Sequence, residues 1–369
     1  MSKKILLICN ESINVVNFRS ELINYLANND YIVDVLCADY RRIEDIKKTG
    51  VNSVHVVPFT NRGTNPFALL KLEKQFIKVI KSVNPDIVFT FQAKPNIVGA
   101  KAAYKCHVKT IVSMVEGLGN PFMPTNFKGK MLRSLVSRMY KRSLKHNDLV
   151  IFLNEDDKLE FINRKIVEDT HSLIIPGIGI DTKLIKQSAF SNEKIVMMLP
   201  RLTANKGIID FCEIASLVRK QRKDIIFELY GDEQDIVAKD LAKYIDAGDV
   251  NYYGYTNNPI ETIARSRIYV STSFYREGFP RTLLEAMALG KPIIATDTIG
   301  SKDAIKEGIN GYLLHTHDVD AFVNKILEII DDVHELKRIG ESARKYCEAN
   351  YDSDKINAII LKNLELLAK

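Results

Sequence analysis

The chain has no tryptophan, and its five cysteines stand apart. Cys9, Cys37, Cys106, Cys212 and Cys347 form no C-x-x-C pair. That argues against a disulfide frame or a thiolate zinc site and fits reduced, mostly buried thiols. No run of 18 or more apolar residues occurs, so no transmembrane helix is expected. The opening MSKKILLICNES has lysines and a short apolar run. Asn10, Glu11 and the want of a small-residue cleavage site set it apart from a signal peptide, and it reads as the first strand of a cytoplasmic protein. No convincing D-x-D motif sits on a strand-end loop. Glu155–Asp157 reads as the start of a helix, and His315 and His317 as part of a loop after a strand. No metal and no cofactor is therefore expected.

What is present is a soluble globular composition, 46% hydrophobic and 27% charged over 369 residues, comfortable for two domains. The charge is uneven. Residues 1–175 hold 26 Lys and Arg against 17 Asp and Glu, a net of +9, and the remainder holds 26 against 29, a net of −3. A basic first half points to a polyanionic partner such as a diphosphate, an acidic lipid or nucleic acid; the alternative is a solvated basic surface. Nucleic acid finds no supporting motif, because the basic residues are not interleaved with aromatics.

Short, nearly continuous apolar segments alternate with amphipathic ones. KKILLIC, YIVDVLCA, VNSVHVVPF, PDIVFTF, KTIVSMV and DLVIFLN read as strands of parallel βαβ units, with helices between them. The pattern restarts after a Pro/Gly hinge near Pro176 to Asp181: EKIVMMLP, DIIFELY, VNYYGY, RIYVSTS and PIIATD are strands of a second series. The fold class is α/β, two doubly wound Rossmann-like halves facing each other across a cleft. The expected boundaries are residues 1–177 for the acceptor-binding domain, 178–352 for the nucleotide-sugar domain, and 353–369 for a terminal helix crossing back to the first. In such sheets ligands bind at the carboxyl ends of the strands.

The stretch YREGFPRTLLEAMALGKPIIATD places two carboxylates, Glu277 and Glu285, around a helix start. Pro280 suits the first turn and Gly290 ends the helix, so it covers roughly Pro280 to Leu289. Its free N–H groups form an anion site. A diphosphate docked there would be flanked by two acids that accept hydrogen bonds from hydroxyls on either side, the shape of a nucleotide-sugar. In PRLTANKG, Arg201 and Lys206 follow the first strand of the second half and suit a diphosphate leaving group.

PRLTANKG together with STSFYREGFPRTLLEAMALGKPIIATD resembles the family-4 retaining glycosyltransferases of GT-B fold. NESINVVNFRSEL, TNRGTNPF and VEGLGNPF resemble a narrower bacterial group that extends glycans on undecaprenyl diphosphate in capsule, O-antigen and glycoprotein pathways. The resemblance implies that Glu277 contacts the donor sugar, Glu285 the ribose, and Arg201 and Lys206 the donor diphosphate. Thr282 and Leu283 would offer donors to phosphate, with Gly278 and Phe279 beside them. Gly231 would allow close approach of the base, which the Tyr253–Thr256 loop, including Tyr255, would hold. Many relatives have a glycine-rich loop after the first strand; here CNESINVVNF has none, and Asn14, Asn17 and Arg19 stand there as acceptor contacts. Many have a histidine after the TIVSMV strand; here Glu116 stands there, followed by Gly117 and Gly119, placed to orient or deprotonate an acceptor hydroxyl.

The resemblance further implies retention of configuration without a metal. The donor would be a UDP-sugar, N-acetylated or uronic, and the acceptor a polyprenyl-diphosphate glycan. Residues 128–146 carry seven Lys and Arg and no acid, with Met131, Leu132, Leu135, Met139 and Leu144 at roughly helical spacing. Such a helix fits an anionic membrane surface, which would hold the protein on the inner face of the cell membrane; the alternative is a core-packed helix with a basic outer face. Rival functions are a transferase with a soluble acceptor and, on the same architecture, a UDP-sugar 2-epimerase.

Overall fold

The structure is a computed structural model that describes residues 2–60, 63, 65–123 and 126–367. Asn61, Arg62 and Thr64 of the TNRGTNPF segment lie outside the described residues. The chain divides into two compact units, Met1–Ile178 with Ser353–Lys369, and Gly179–Asp352.

The first unit runs β1 (Lys4–Ile8), α1 (Ser12–Ala27), β2 (Ile32–Cys37), α2 (Ile43–Ile46), β3 (Ser53–Val56), α3 (Pro66–Val83), β4 (Ile87–Phe91), α4 (Ala93–Lys105), β5 (Thr110–Val115), α5 (Phe127–Leu144), β6 (Leu149–Phe152), α6 (Glu155–Asn163) and β7 (Ser172–Ile174). The second runs β8 (Lys194–Met198), α7 (Ile208–Gln221), β9 (Ile225–Leu229), α8 (Ala242–Asp246), β10 (Asn251–Tyr252), α9 (Pro259–Ala264), β11 (Ile268–Ser271), α10 (Arg281–Ala288), β12 (Ile293–Thr296), α11 (Ser301–Ala304), β13 (Tyr312–Leu314), α12 (Val319–Ile329) and α13 (Val333–Asn350). Helix α14 (Ser353–Leu367) belongs to the first unit, where it packs on α1.

Both sheets are parallel. Their strand orders are β3-β2-β1-β4-β5-β6-β7 and β10-β9-β8-β11-β12-β13. The order reverses between β1 and β4 in one and between β8 and β11 in the other, the places where open α/β sheets bind ligands. Central strands such as β1 and β4 are buried on both faces, which is why their sequences are apolar without alternation.

Local chemistry explains the boundaries that matter. Helix α10 has Pro280 as its N-cap residue and ends at Gly290, whose φ of +70° suits the left-handed C-terminal position. The N–H groups of Gly290 and Lys291 close back on the carbonyls of Met287 and Ala286 at 2.9 Å each. Asn154 caps α6 by accepting from the Asp157 N–H at 2.8 Å, so Glu155–Asp157 is indeed a helix start. Elsewhere the elements are shorter than their apolar patterns. Strand β3 stops at Val56, and the DIVAKDLAKYIDA pattern splits into a 3₁₀ turn, Ala238–Leu241, and the five-residue α8.

Candidate functional site

In the second unit, the loops after β8 and β11 meet beside the strand-order reversal. Thr272 Oγ1 donates to the Gly207 carbonyl at 2.7 Å, and the Phe274 N–H donates to the Asn205 carbonyl at 3.1 Å. Gly207 has φ +70°, and a Cβ there would stand 2.1 Å from the Thr272 carbonyl oxygen. Glycine is thus required for the loops to approach. Their closeness joins Lys206 Nζ to Glu277 Oε1 in an ion pair. Ser273 Oγ donates to the same carboxylate oxygen at 3.1 Å. Lys206 and Glu277 are both mostly shielded from solvent, whereas Arg201 is exposed and has no ion-pair partner among the described residues.

Helix α10 carries the second acid. Glu285 is buried and accepts from Arg281 Nε at 3.1 Å. Tyr269 lies beneath; its hydroxyl shares a hydrogen bond with Thr282, and burial pushes the phenol far above its ordinary range. The Leu283 side chain is in the core, and its N–H already donates to the Pro280 carbonyl at 3.2 Å. Of the two donors expected here, the Leu283 N–H thus has a partner within the turn, and the Thr282 hydroxyl has one in Tyr269. Gly278 is buried, and the Phe279 ring packs 5.1 Å from that of Tyr351, a core contact.

Gly231 has a reason within the chain for being glycine. At φ +150°, its Cβ would stand 1.9 Å from the Pro200 carbonyl oxygen, so the close neighbour is the chain itself. Its N–H donates to the Gly254 carbonyl at 2.8 Å, tying the Tyr253–Thr256 loop to the end of β9. Tyr255 is exposed there, and Tyr253 stacks on Tyr230 with ring centroids 4.9 Å apart.

In the first unit, α1 follows β1 and Glu116 follows β5. Arg19 is only 2% exposed. It forms an ion pair with Glu116, lies 4.2 Å over the Phe91 ring and donates from Nη1 to the Phe18 carbonyl at 2.6 Å. Arg19 is thus a buried support for Glu116 and not an open acceptor contact, because the apolar end of β4 and the carboxylate together hold the guanidinium inside. Asn14 and Asn17 lie one turn apart on α1, half-buried and exposed, and their side chains make no hydrogen bond among the described residues. Gly117 follows Glu116 with φ +135°, a conformation natural only to glycine.

Pattern reading named the charged members of this site and missed Thr272, Ser273 and Phe274, which join the loops. Their only signal is the STSF run directly after an apolar strand.

Helix α5 carries an exposed apolar edge, with Phe127 76% and Met131 60% exposed and Leu132 and Leu135 also open. Val136, Tyr140 and Leu144 face the core. Lys128, Lys130, Arg138, Lys141 and Arg142 are exposed around that edge. No helix among the described residues is long and apolar enough to cross a membrane.

Comparison with known proteins agrees with this geometry. Residues 4–154 match the family described as Glycosyl transferase 4-like, and residues 180–346 match Glycosyl transferases group 1. The chain is 27% identical over 333 residues to the N,N'-diacetylbacillosaminyl-diphospho-undecaprenol alpha-1,3-N-acetylgalactosaminyltransferase of Campylobacter jejuni, covering 86% of this chain and 87% of the relative. It is 25% identical over 327 residues to the UDP-Gal:alpha-D-GlcNAc-diphosphoundecaprenol alpha-1,3-galactosyltransferase of Escherichia coli, covering 83% and 82%. Among solved structures, Anabaena Alr3699/HepE in complex with UDP and glucose superposes with a TM-score of 0.81 at 20% identity, covering 98% and 99% of the two chains. With both sheets, the two-loop junction and both family matches in agreement, the chain belongs to the glycosyltransferases of GT-B fold.

Proposed function

We propose that the chain transfers a hexose, N-acetylated or uronic, from a UDP-sugar to a glycan carried on undecaprenyl diphosphate, with retention of configuration and without a metal. The observation that carries the reading is the junction of Lys206 and Glu277 at the strand-order reversal of the second sheet, with α10 starting four residues past the acid. A diphosphate at that helix start meets Lys206, Arg201 and Thr282, while Glu277 and Glu285 accept from sugar and ribose hydroxyls. The choice of lipid-linked acceptor is supported by the C. jejuni and E. coli relatives and by the basic, apolar edge of α5.

In the reaction the bond from the anomeric carbon to the UDP oxygen breaks, and a bond from the acceptor oxygen forms on the same face. The acceptor proton passes to a donor phosphate oxygen. Lys206, Arg201 and the first turn of α10 stabilise the charge that develops on the departing diphosphate. Glu116, held by Arg19, orients the acceptor hydroxyl as a hydrogen-bond acceptor.

A mass-spectrometric transfer assay tests this with a panel of UDP-sugars, a short-chain polyprenyl-diphosphate glycan and EDTA in one arm. The expected result is a gain of one hexose unit, unchanged by EDTA, and product NMR showing the anomer retained. Gain only with a soluble glycan would overturn the lipid-linked acceptor. Free epimer without acceptor would overturn transfer in favour of epimerisation. Inversion, or loss of activity in EDTA, would overturn the mechanism.

A further inference from the structure

The turn after β13 takes no part in the chemistry described above, yet it reaches the junction that does. His317 Nδ1 lies 2.8 Å from Asp210 Oδ2 in the first turn of α7. The His317 ring also packs against Phe274, with centroids 4.7 Å apart. Asp210 is four residues past Lys206, and Phe274 is three residues before Glu277. Phe274 is also the residue whose N–H donates to Asn205. One side chain thus contacts both loops whose closeness creates the Lys206–Glu277 pair.

The backbone supports a dedicated placement. His317 has φ +63°, the left-handed region, and in the second unit it is the one non-glycine residue in that region among the described residues. Histidine tolerates that conformation better than most side chains, but at a cost that neighbouring structure must offset. The offset is visible next door. Asp318 accepts from the Ala321 N–H at 3.1 Å as the N-cap of α12, and its own N–H donates to the His315 carbonyl at 3.3 Å. Helix α12 is anchored by buried Phe322, Val323 and Ile326. The turn is therefore fixed to the core, and His317 projects from it as a strut.

We infer that His317 is a positioning residue for the donor site: braced by α12, it holds the Asp210 and Phe274 ends of the two loops so that Lys206 and Glu277 face a nucleoside diphosphate together. The inference rests on the reading of the second unit as the donor half.

Calorimetric titration of the full chain with UDP tests it, using wild type, His317→Asn, Lys206→Ala and the double variant. Asparagine keeps the left-handed tolerance and loses the ring. His317→Asn is expected to weaken UDP binding about tenfold, the scale of one charged hydrogen bond and one aromatic contact. In the Lys206→Ala background the same change is expected to have no further effect, because the strut acts through the lysine loop. Phe274→Leu, which removes the ring contact from the other side, should reproduce the loss if His317→Asn does not fold. Equal weakening in both backgrounds would overturn the inference by marking a general structural effect. UDP binding by His317→Asn as tight as wild type would also overturn it. Failure of wild type itself to bind UDP would defeat the donor-site reading, and this inference with it.

Discussion

The candidate residues of the two units are held on different terms. In the second unit, Lys206 and Glu277 are brought together mainly through main-chain groups, with His317 as a brace: the Gly207 carbonyl accepts from the Thr272 hydroxyl, and the Asn205 carbonyl from the Phe274 N–H. In the first unit, Glu116 is held by one side chain, Arg19, itself wedged over Phe91. A backbone junction is stiff and indifferent to what binds, which suits a constant group such as a nucleoside diphosphate. A side-chain support is easily changed, which suits the variable acceptor of the proposed reaction. The contrast predicts that damage in the two units separates in kinetics. Donor binding and the chemical step fail together in one, and acceptor use fails alone in the other.

The largest expected effect is at the junction. Glu277→Gln should lower transfer about 10³-fold, the scale seen when a group acting on developing transition-state charge is lost. Lys206→Ala should match it and also weaken UDP binding, measured by calorimetry. Transfer within a few fold of wild type in Glu277→Gln would remove the acid from the mechanism. Gly207→Ala tests the backbone side of the comparison. The added Cβ cannot coexist with the Thr272 carbonyl, so both UDP binding and thermal stability should fall, by about 1–3 kcal/mol in the latter.

Arg19→Ala should be the next largest. Glu116 loses its partner, KM for the acceptor rises and kcat falls, together about 10- to 100-fold, the range for groups that position a reacting hydroxyl. UDP affinity should not move. A parallel loss of UDP binding would erase the proposed difference between the units.

How much of this was legible follows the same line. The alternating pattern was enough for both parallel sheets, because doubly covered strands must be apolar throughout. The second unit's acids and cations were legible because a helix start needs Pro, Gly and polar residues at fixed offsets. The first unit was read poorly. Arg19 stands in a polar-looking run, and nothing local shows that its guanidinium turns inward onto Phe91, 72 positions away in the chain. At Gly231 and Leu283 the structure adds a contact that the sequence does not show. A glycine required by its own chain looks in sequence like one required by a ligand. A helix N–H already taken by Pro280 looks like a free one. His317 reads in sequence only as part of a loop after a strand, and its partners, Asp210 and Phe274, are distant in the chain.

A smaller effect should come from α5. Lys128→Glu with Lys130→Glu removes two cations beside the exposed Phe127 and Met131. Flotation with vesicles containing anionic lipid should show binding reduced about tenfold or more at low salt, at roughly 1 kcal/mol per basic residue near the surface. Transfer to a short-chain acceptor free in solution should be unchanged, since no residue of the junction is touched. Full flotation of the variant would mean that α5 is not the contact.

The smallest effect concerns a second buried cation, and it tests whether the stiffness of the second unit depends on charge at all. Lys291 follows α10 and is fully buried, as Arg19 nearly is, but its neighbours differ. Its Nζ donates to the Ala189 carbonyl at 3.1 Å and lies 5.6 Å from the Phe190 ring centre. Burial pushes its pKa from 10.5 down to about 8. Between those values the unfolded chain holds the proton and the folded chain does not, so stability rises with pH across that window. Below pH 8 both states are protonated, and the folded state bears the full cost of a charge without a carboxylate partner. Lys291→Met should therefore flatten the rise in melting temperature between pH 8 and 10.5 and raise the melting temperature at pH 7 by about 2–4 °C, the shift for roughly 1 kcal/mol in a unit of this size. UDP binding should be unaffected, because α10 is fixed by its Pro280 start and Gly290 end and not by the ammonium. A loss of UDP affinity in Lys291→Met would show instead that the second unit, like the first, depends on a buried side chain for its geometry.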